Sequence, residues 1–519
     1  MDYVDITASH INKQLKTLPN TVNTSPDGIP SIFLKKTADT ISAPLCHIFC
    51  RSLVTGSVPE MWKKAIIRPI HKKGSKLKPS NYRPISLTCV TSKVLERLIA
   101  KRMRIHFALN SLFSQYQYGF LNRRSTTAVL LRTIQNWMCH IDNGGYVDCL
   151  YFDFRKAFDS VSHQKLFTKI KWYGIQGSLY NWLCDFLTNR SQAVKVDSYT
   201  CNYEPVSSGV PQGSVLGPLL FLIYINDLPL ALPNNSKCFL FADDIKVFTN
   251  TNNLQTIVDS IDGWSKTWSL PLAADKTNLI RFGNKNPQNQ VQINGISIQS
   301  VNSIRDLGVT VDERLNFHEH ISNIVKKANS RSNLIIRAFS SRNLSLLTKL
   351  FTVYVRPVLE YASSVWSPCC PYRDSEYLNL IEGVQRRFTF RILKRHTGCR
   401  PPNYLERLNR LSLQTLELRR FYIDLEMIYS IVNNQIDLPF HEFFAYSKHA
   451  GRTRSRNACK LEIKRCHLDT VKYFFSNRFI AAWNNLPQDV AGAPSHMAFK
   501  TRLAQLPLQT IGFTSKIKP

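Results

Sequence analysis

At 519 residues, with 44% hydrophobic and 11% aromatic side chains, the chain is too long for one compact core and too apolar for wholesale disorder. Its 67 Lys and Arg against 36 Asp and Glu give a net charge of +31, which on a folded chain points to a polyanion, most simply nucleic acid. The start lacks the apolar core of a secretory signal, and the longest apolar run, Leu219 to Ile225, is too short to span a bilayer. No basic amphipathic anchor for a membrane surface stands at either end. Thirteen scattered cysteines, without paired metal-ligand spacing, read as reduced thiols of an intracellular protein.

In chain order, Pro26-Asp27-Gly28 signals a turn before an apolar pattern through Ile32, Phe33 and Leu34. From Trp62 to Leu87, short β-type runs alternate with basic turns: Ala65-Ile66-Ile67, PIHKKG at 69–74 and NYRPISL at 81–87. Val94, Leu95, Leu98, Ile99 and Met103 share one face of a helix expected from Thr91 to about Leu109, and Leu130 to Ile141 reads as another. Val147 to Phe154 is a buried strand, followed by a helix expected through Phe158 and Val161. Val194 to Val196 and Tyr203 to Val206 are short strands, the second at an edge because of Pro205. A helix runs from about Val215 to Tyr224, then Phe239 to Phe241 and Ile245 to Phe248 form strands joined by a tight turn. Ile257 to Trp268 is an amphipathic helix. Beyond Phe317, long basic helices are expected to the C-terminus, with paired cations at Arg386-Arg387, Lys394-Arg395, Arg419-Arg420 and Lys464-Arg465 and alternating Arg452, Arg454 and Arg456. The main boundary falls near 313–325.

The turn FADD at 241–244 places two carboxylates side by side at a hairpin tip. Asp is common in turns for local reasons. Adjacent acids in a cleft, however, repel each other and need a cation, and Mg²⁺ is suited to a pair of carboxylates with substrate phosphates. A third acid, Asp153, closes an apolar strand, where burial without a partner is costly. Asp159 reads as a helix-turn or surface acid rather than a ligand. In GVPQGSVLGP at 209–218, three glycines and two prolines enforce a close backbone approach. Gln212 projects from that turn and Ser214 is placed to cap the following helix, although an ordinary strand-to-helix loop would look similar.

A strand with Asp153, a Pro-Gln-Gly turn opening a helix, and a hairpin with two Asp stand in the order of a polymerase palm. Here the chain resembles the reverse transcriptases of non-LTR (LINE-type) retrotransposons, closest to the jockey-like group. The resemblance extends to SQYQYGF at 114–120, DKT at 275–277, DLGV at 306–309, LFTVYVRPVLEYASSVWSP at 350–368 and FSNRFIAAWNNLP at 475–487. It implies an α+β right-hand fold: an N-terminal extension to 50, fingers over 51–145, a palm with a ferredoxin-like antiparallel sheet over 146–312, a helical thumb over 313–400 and a basic, mostly helical C-terminal region over 401–519. It also implies an RNA-directed DNA polymerase that extends a DNA primer on an RNA template from dNTPs, using two Mg²⁺ ions or Mn²⁺ in their place. Asp153, Asp243, Asp244 and the carbonyl of Phe154 would hold the metals. Phe158 would block a ribose 2′-hydroxyl, although a core aromatic reads the same. Gln212 and Gly213 would line the nucleotide pocket, Lys72 or Lys73 with Arg83 would grip the triphosphate, and Lys276 would act near the leaving pyrophosphate.

The family usually has Asn where Ala274 stands, and full-length members carry an endonuclease that the opening segment is too short to form, so no target cutting is expected. Family habits place such a protein in a cytoplasmic ribonucleoprotein and in the nucleus during target-primed synthesis. The rival reading is a catalytically silent nucleic-acid-binding remnant of a retroelement. An RNA-dependent RNA polymerase is disfavoured by the bulk of Phe158 and by Ala242.

Overall fold

The computed structural model describes residues 1–22, 25–284, 286–370, 372–447 and 459–515. The alternating Arg452, Arg454 and Arg456 lie outside the described residues.

Helices α1 (Ala8–Lys16), α2 (Ser31–Lys36), α3 (Ala38–Thr55) and the single turn α4 (Glu60–Lys63) lead into strands β1 (Lys64–His71) and β2 (Tyr82–Leu87). Ile11 and Leu15 of α1, with Phe49 and Leu53 of α3, are buried in the same core as Val94, Leu95, Ile99 and Met103 of α5 (Val90–Leu109). The apolar stripe that predicts α5 is the face it buries. Helix α6 (Thr126–Asp142) starts where Ser125 accepts a hydrogen bond from the Ala128 N–H at 3.1 Å, an N-cap of the kind Ser favours.

Strand β3 (Val147–Phe152) is followed by α7 (His163–Trp172), α8 (Gly177–Leu187), β4 (Arg190–Val196), β5 (Tyr199–Thr200) and β6 (Glu204–Val206). Then come α9 (Leu216–Ile225), the hairpin β7 (Ser236–Phe241) and β8 (Asp244–Thr249), α10 (Leu254–Trp268) and β9 (Asn278–Phe282). Short strands β10 (Gln292–Ile293), β11 (Ile296–Ser297) and β12 (Gln299–Ser300) precede the hairpin β13 (Ser303–Asp306) and β14 (Val309–Asp312).

The helix expected through Phe158 and Val161 is a turn instead. Lys156 adopts φ +46°, and the carbonyls of Phe158 and Val161 accept the N–H groups of Val210 and Gly209, both at 2.8 Å. Those carbonyls are committed to a neighbouring segment, so the helix waits until His163.

The central sheet runs β12-β9-β3-β8-β7, antiparallel except for the β12–β9 pair. Strands β3 and β8 at its centre are buried on both faces, with the period of two that strand geometry imposes. Val147 and Cys149 of β3 and Phe282 of β9 enter one core with α6; Leu150 and Phe152, with Ile245 and Val247 of β8, enter the other with α5 and α9. In the first core Trp137 stacks on Phe282 at 4.4 Å. A second sheet joins β2, β1, β4 and β5, with β6 also on β4, and the β1–β4 pair is parallel.

Helices α11 (His318–Ala338), α12 (Leu344–Leu350), α13 (Arg356–Glu360), α14 (Ser363–Trp366), α15 (Ser375–Thr397) and α17 (Leu416–Val432) continue the first core, and α16 (Tyr404–Arg410) lies between the last two in sequence. Among the described residues long helices stop at Val432: Pro439, Pro487 and Pro494 interrupt the chain beyond it, and the elements described there are short, from α18 (Phe440–Phe443) to a helix at His496–Gln505. Among the described residues no helix is long and apolar enough to cross a membrane. The α+β class and a right-hand polymerase architecture are borne out, with a parallel edge strand added to the antiparallel sheet.

Candidate active site

The acids meet at one end of the central sheet because of its register. Tyr151 pairs with Lys246 and Phe152 with Ile245, so the next position sets Asp153 opposite Asp244. Phe241 pairs with Asp244 across β7–β8, which leaves Ala242 and Asp243 as a two-residue turn, with Ala242 at φ +55°. Past β3 the chain is fixed on both sides of Phe154: the Asp153 carbonyl accepts the Ala273 N–H at 2.7 Å and the Arg155 N–H donates to Pro271 at 2.9 Å.

Burial raises the Asp243 carboxyl above its ordinary range; Asp153 adds to this, while Arg83 and Lys72 oppose it. For Asp244 the crowding of surrounding protein and the charge of Asp243 come first, then Asp306, and the group is pushed up to about 6 although its side chain keeps a solvent-facing surface. Carboxylates that raise one another hold an unmet demand for positive charge. Part of it is met by Lys276, whose ammonium donates to Asp153 at 2.9 Å. Oxygen donors of this kind suit a hard divalent ion. Among the described residues, however, no three His, Cys, Asp or Glu side chains are gathered closely enough to hold one. The acids share an edge without forming a closed shell.

Beneath Asp244 lies a buried group that sequence reasoning missed. Lys246, 2% exposed, pairs with Asp306, 5% exposed, and the Tyr151 hydroxyl donates to the same carboxylate at 3.0 Å. Lysine alternating with Ile245 and Val247 was the available signal, and the Asp of DLGV is its partner.

The GVPQGSVLGP segment packs as a close-approach turn. The Gln212 carbonyl accepts the Ser86 N–H of β2 at 2.7 Å, and Gly213 sits at φ +129°, where an added Cβ would lie 2.4 Å from the Ser86 oxygen. No L side chain fits there. The Gln212 side chain donates to Asp159 at 2.9 Å, so Asp159 is a support for the turn. Burial raises its carboxyl, against the pull of Gln212, Lys156 and Lys72. Ser214 caps as expected, its hydroxyl accepting the Gly217 N–H at 2.9 Å. Glu96 of α5, fully buried and missed from sequence, accepts the N–H groups of Val215 and Leu216 at 2.7 and 3.1 Å. A carboxylate at that helix start is favoured by the helix dipole. Phe158 is half-buried and stacked on Phe221 of α9 at 4.4 Å with 14° between the rings.

On the fingers side, Lys72 and Arg83 are exposed cations whose fields reach Asp243, and that of Lys72 also reaches Asp159. Lys73 is exposed beside Lys72 on the same turn. A further missed residue is Gln117, 3% exposed: its Oε1 accepts the Ala242 N–H at 2.9 Å, and its Nε2 donates to the Ala242 carbonyl at 3.4 Å.

Residues 70–311 match the family model described as reverse transcriptase (RNA-dependent DNA polymerase). Over 356 residues the chain is 31% identical to a probable RNA-directed DNA polymerase from transposon X-element of Drosophila melanogaster, covering 66% of this chain and 38% of that one. It is 28% identical over 405 residues to the RNA-directed DNA polymerase from mobile element jockey of the same organism, covering 75% and 44%. A probable RNA-directed DNA polymerase from transposon BS of D. melanogaster is 28% identical over 402 residues, covering 74% and 44%. The chain thus spans about two fifths of the length of these relatives.

Proposed function

This chain belongs to the reverse transcriptases of non-LTR retrotransposons, and on that ground we propose that it extends a DNA primer on an RNA template by two-metal nucleotidyl transfer. The observation that carries the reading is the register that brings Asp153 toward Asp244 beside the Asp243 turn, where the charges of Arg83 and Lys72 act on Asp243.

Asp153, Asp243 and Asp244, with the carbonyl of Phe154, would hold the divalent ions, Mg²⁺ by the hardness of the donors. The chemistry such ions would supply there is acidification of a primer 3′-hydroxyl and neutralisation of charge on the triphosphate and the departing pyrophosphate. The chain's own groups do the positioning. Arg83 offers a planar fork to two phosphate oxygens, and Lys72 a point charge beside it. Lys276 occupies Asp153 as a counter-ion in the free chain. Its ammonium would be the proton source for the leaving pyrophosphate oxygen. Gln212 and Gly213 shape the pocket behind the nucleotide, and the Phe158 ring, held by Phe221, fills the space a 2′-hydroxyl would need.

Primer extension on an RNA template with dNTPs and Mg²⁺ tests the reading, with Asp243→Ala as the control. Extension by the wild-type chain and none by the variant is expected. Equal behaviour of the two would sink the enzyme and leave a chain that only binds nucleic acid.

A further inference from the structure

We propose that Gln117 is a positioning residue for the catalytic turn, and that the C-terminal region keeps it in place through Asp437. The proposal rests on the polymerase reading of the Asp243–Asp244 turn and assigns a task to a region that the sequence left without one.

A two-residue turn with Ala242 in the left-handed region has few contacts of its own to fix it. Here a second segment supplies them. Residues 116–118 lie along the outer edge of β7: the Tyr118 N–H donates to the Leu240 carbonyl at 2.7 Å, and the Leu240 N–H donates to Tyr116 at 2.9 Å. From that added strand the Gln117 side chain reaches the turn. Its Oε1 accepts both the Ala242 N–H, at 2.9 Å, and the Gly119 N–H, at 2.7 Å, and its Nε2 donates back to the Ala242 carbonyl at 3.4 Å. The amide thus grips both backbone polar groups of the residue just ahead of Asp243. Gly119 closes the grip from the other side: a Cβ there would stand 2.4 Å from the Ala242 nitrogen.

The segment that carries Gln117 is held in turn from far along the chain. The Arg124 guanidinium donates to the carbonyls of Ser114 and Gln117 and pairs with the Asp437 carboxylate. The Asp437 N–H donates to the Arg123 carbonyl at 2.8 Å. Five residues on, Glu442 takes Arg132 of α6 in a two-point contact at 2.6 and 2.9 Å, and Arg132 donates to the Tyr118 hydroxyl at 3.0 Å. Residues 437–442 therefore fasten both ends of the strand that clamps the turn. Carboxylates at the tip of a hairpin must be held to within a fraction of an ångström to share an ion, and rigid support of this kind sets rate more than affinity.

The experiment uses the full chain, comparing wild type with Gln117→Leu, Gln117→Glu, Asp437→Asn and Arg124→Lys. Readouts are kcat and KM for dNTP, primer–template Kd, and hydrogen exchange of the peptide spanning 239–249. Gln117→Leu should lower kcat at least a hundredfold and raise exchange in that peptide at least tenfold, with KM and Kd within threefold. Gln117→Glu, which keeps both acceptor contacts, should recover at least tenfold of the lost kcat. Asp437→Asn and Arg124→Lys should each lower kcat about tenfold, and their combination should add little because they act on one path. A Gln117→Leu chain with kcat within threefold of wild type overturns the proposal. So does a loss shared equally by kcat, Kd and exchange in remote α17, which marks general unfolding. If the wild type itself extends no primer, the polymerase reading fails while the exchange readout still decides: unchanged exchange in Gln117→Leu overturns the clamp.

Discussion

Replacing Lys246 with Met removes a cation from a place where nothing can substitute for it. Lys246 and Asp306 are 2% and 5% exposed, and without the ammonium Asp306 retains the Tyr151 hydroxyl at 3.0 Å as its remaining side-chain donor. Breaking one partner out of a buried ion pair costs about 3–5 kcal/mol, because the other charge stays behind. At about 1.36 kcal/mol per decade, that is roughly two to four decades in an opening equilibrium. The pair also ties the β13–β14 hairpin to the central sheet, which it joins through no ladder of backbone hydrogen bonds. Amide hydrogen exchange over 244–249 and 303–306 reads local opening directly. Lys246→Met should speed exchange in both peptides by that factor. Adding Asp306→Leu should recover most of it, since an apolar pair of similar volume is close to neutral in such a site. The reasoning is refuted if Lys246→Met changes exchange less than about tenfold, or if the double variant opens as readily as the single one.

Three further outcomes are expected. His320, 3% exposed, is lowered to about 4 by burial and then by Arg305. The unfolded chain binds a proton there below about 6.5 while the folded chain does not, so stability holds above 6.5 and falls by roughly 1.36 kcal/mol per pH unit from 6.5 toward 4; urea titrations at several pH values should show that slope flattened in His320→Asn. Phe158→Val should raise incorporation of ribonucleotides in primer extension, and unchanged sugar selectivity would remove the ring from that role. Gly213→Ala would set a Cβ 2.4 Å from the Ser86 oxygen, must push the two segments apart and should abolish extension, with circular dichroism close to wild type.

The parts of the site that could be read from the chain are those governed by local rules. Asp153 ends a strand whose apolar residues fill both cores, the FADD turn joins two short strands, and Ser214 opens a helix, so period and turn chemistry suffice. Asp159 was set aside as a ligand, and its carboxylate instead receives Gln212. The missed residues depend on distant partners. Glu96 meets Val215, Gln117 meets Ala242, and Lys246 meets Asp306, across 119, 125 and 60 positions. Each looks like an ordinary polar residue until the fold supplies its mate. The same cause explains the lost helix at Phe158, whose carbonyl is claimed by Val210. Beyond Val432 short helices packed by long-range contacts leave no sustained period to detect.

The fingers hairpin is riveted at its root twice, by the parallel β1–β4 pairing through Ile66 and Ala193 and by the Ser86–Gln212 hydrogen bond. Its far end, from Lys72 to Asn81, is closed on itself by the Lys72 N–H on the Asn81 carbonyl at 2.8 Å and by the Asn81 amide on Ser75 at 2.8 Å. Any bending of this hairpin must therefore occur outside the rivets. Arg83 of β2, opposite Ile70 of β1, and Lys72, the first residue past β1, both lie on the far side of those rivets. The two cations would therefore travel together in any such bend, as one unit of the hairpin.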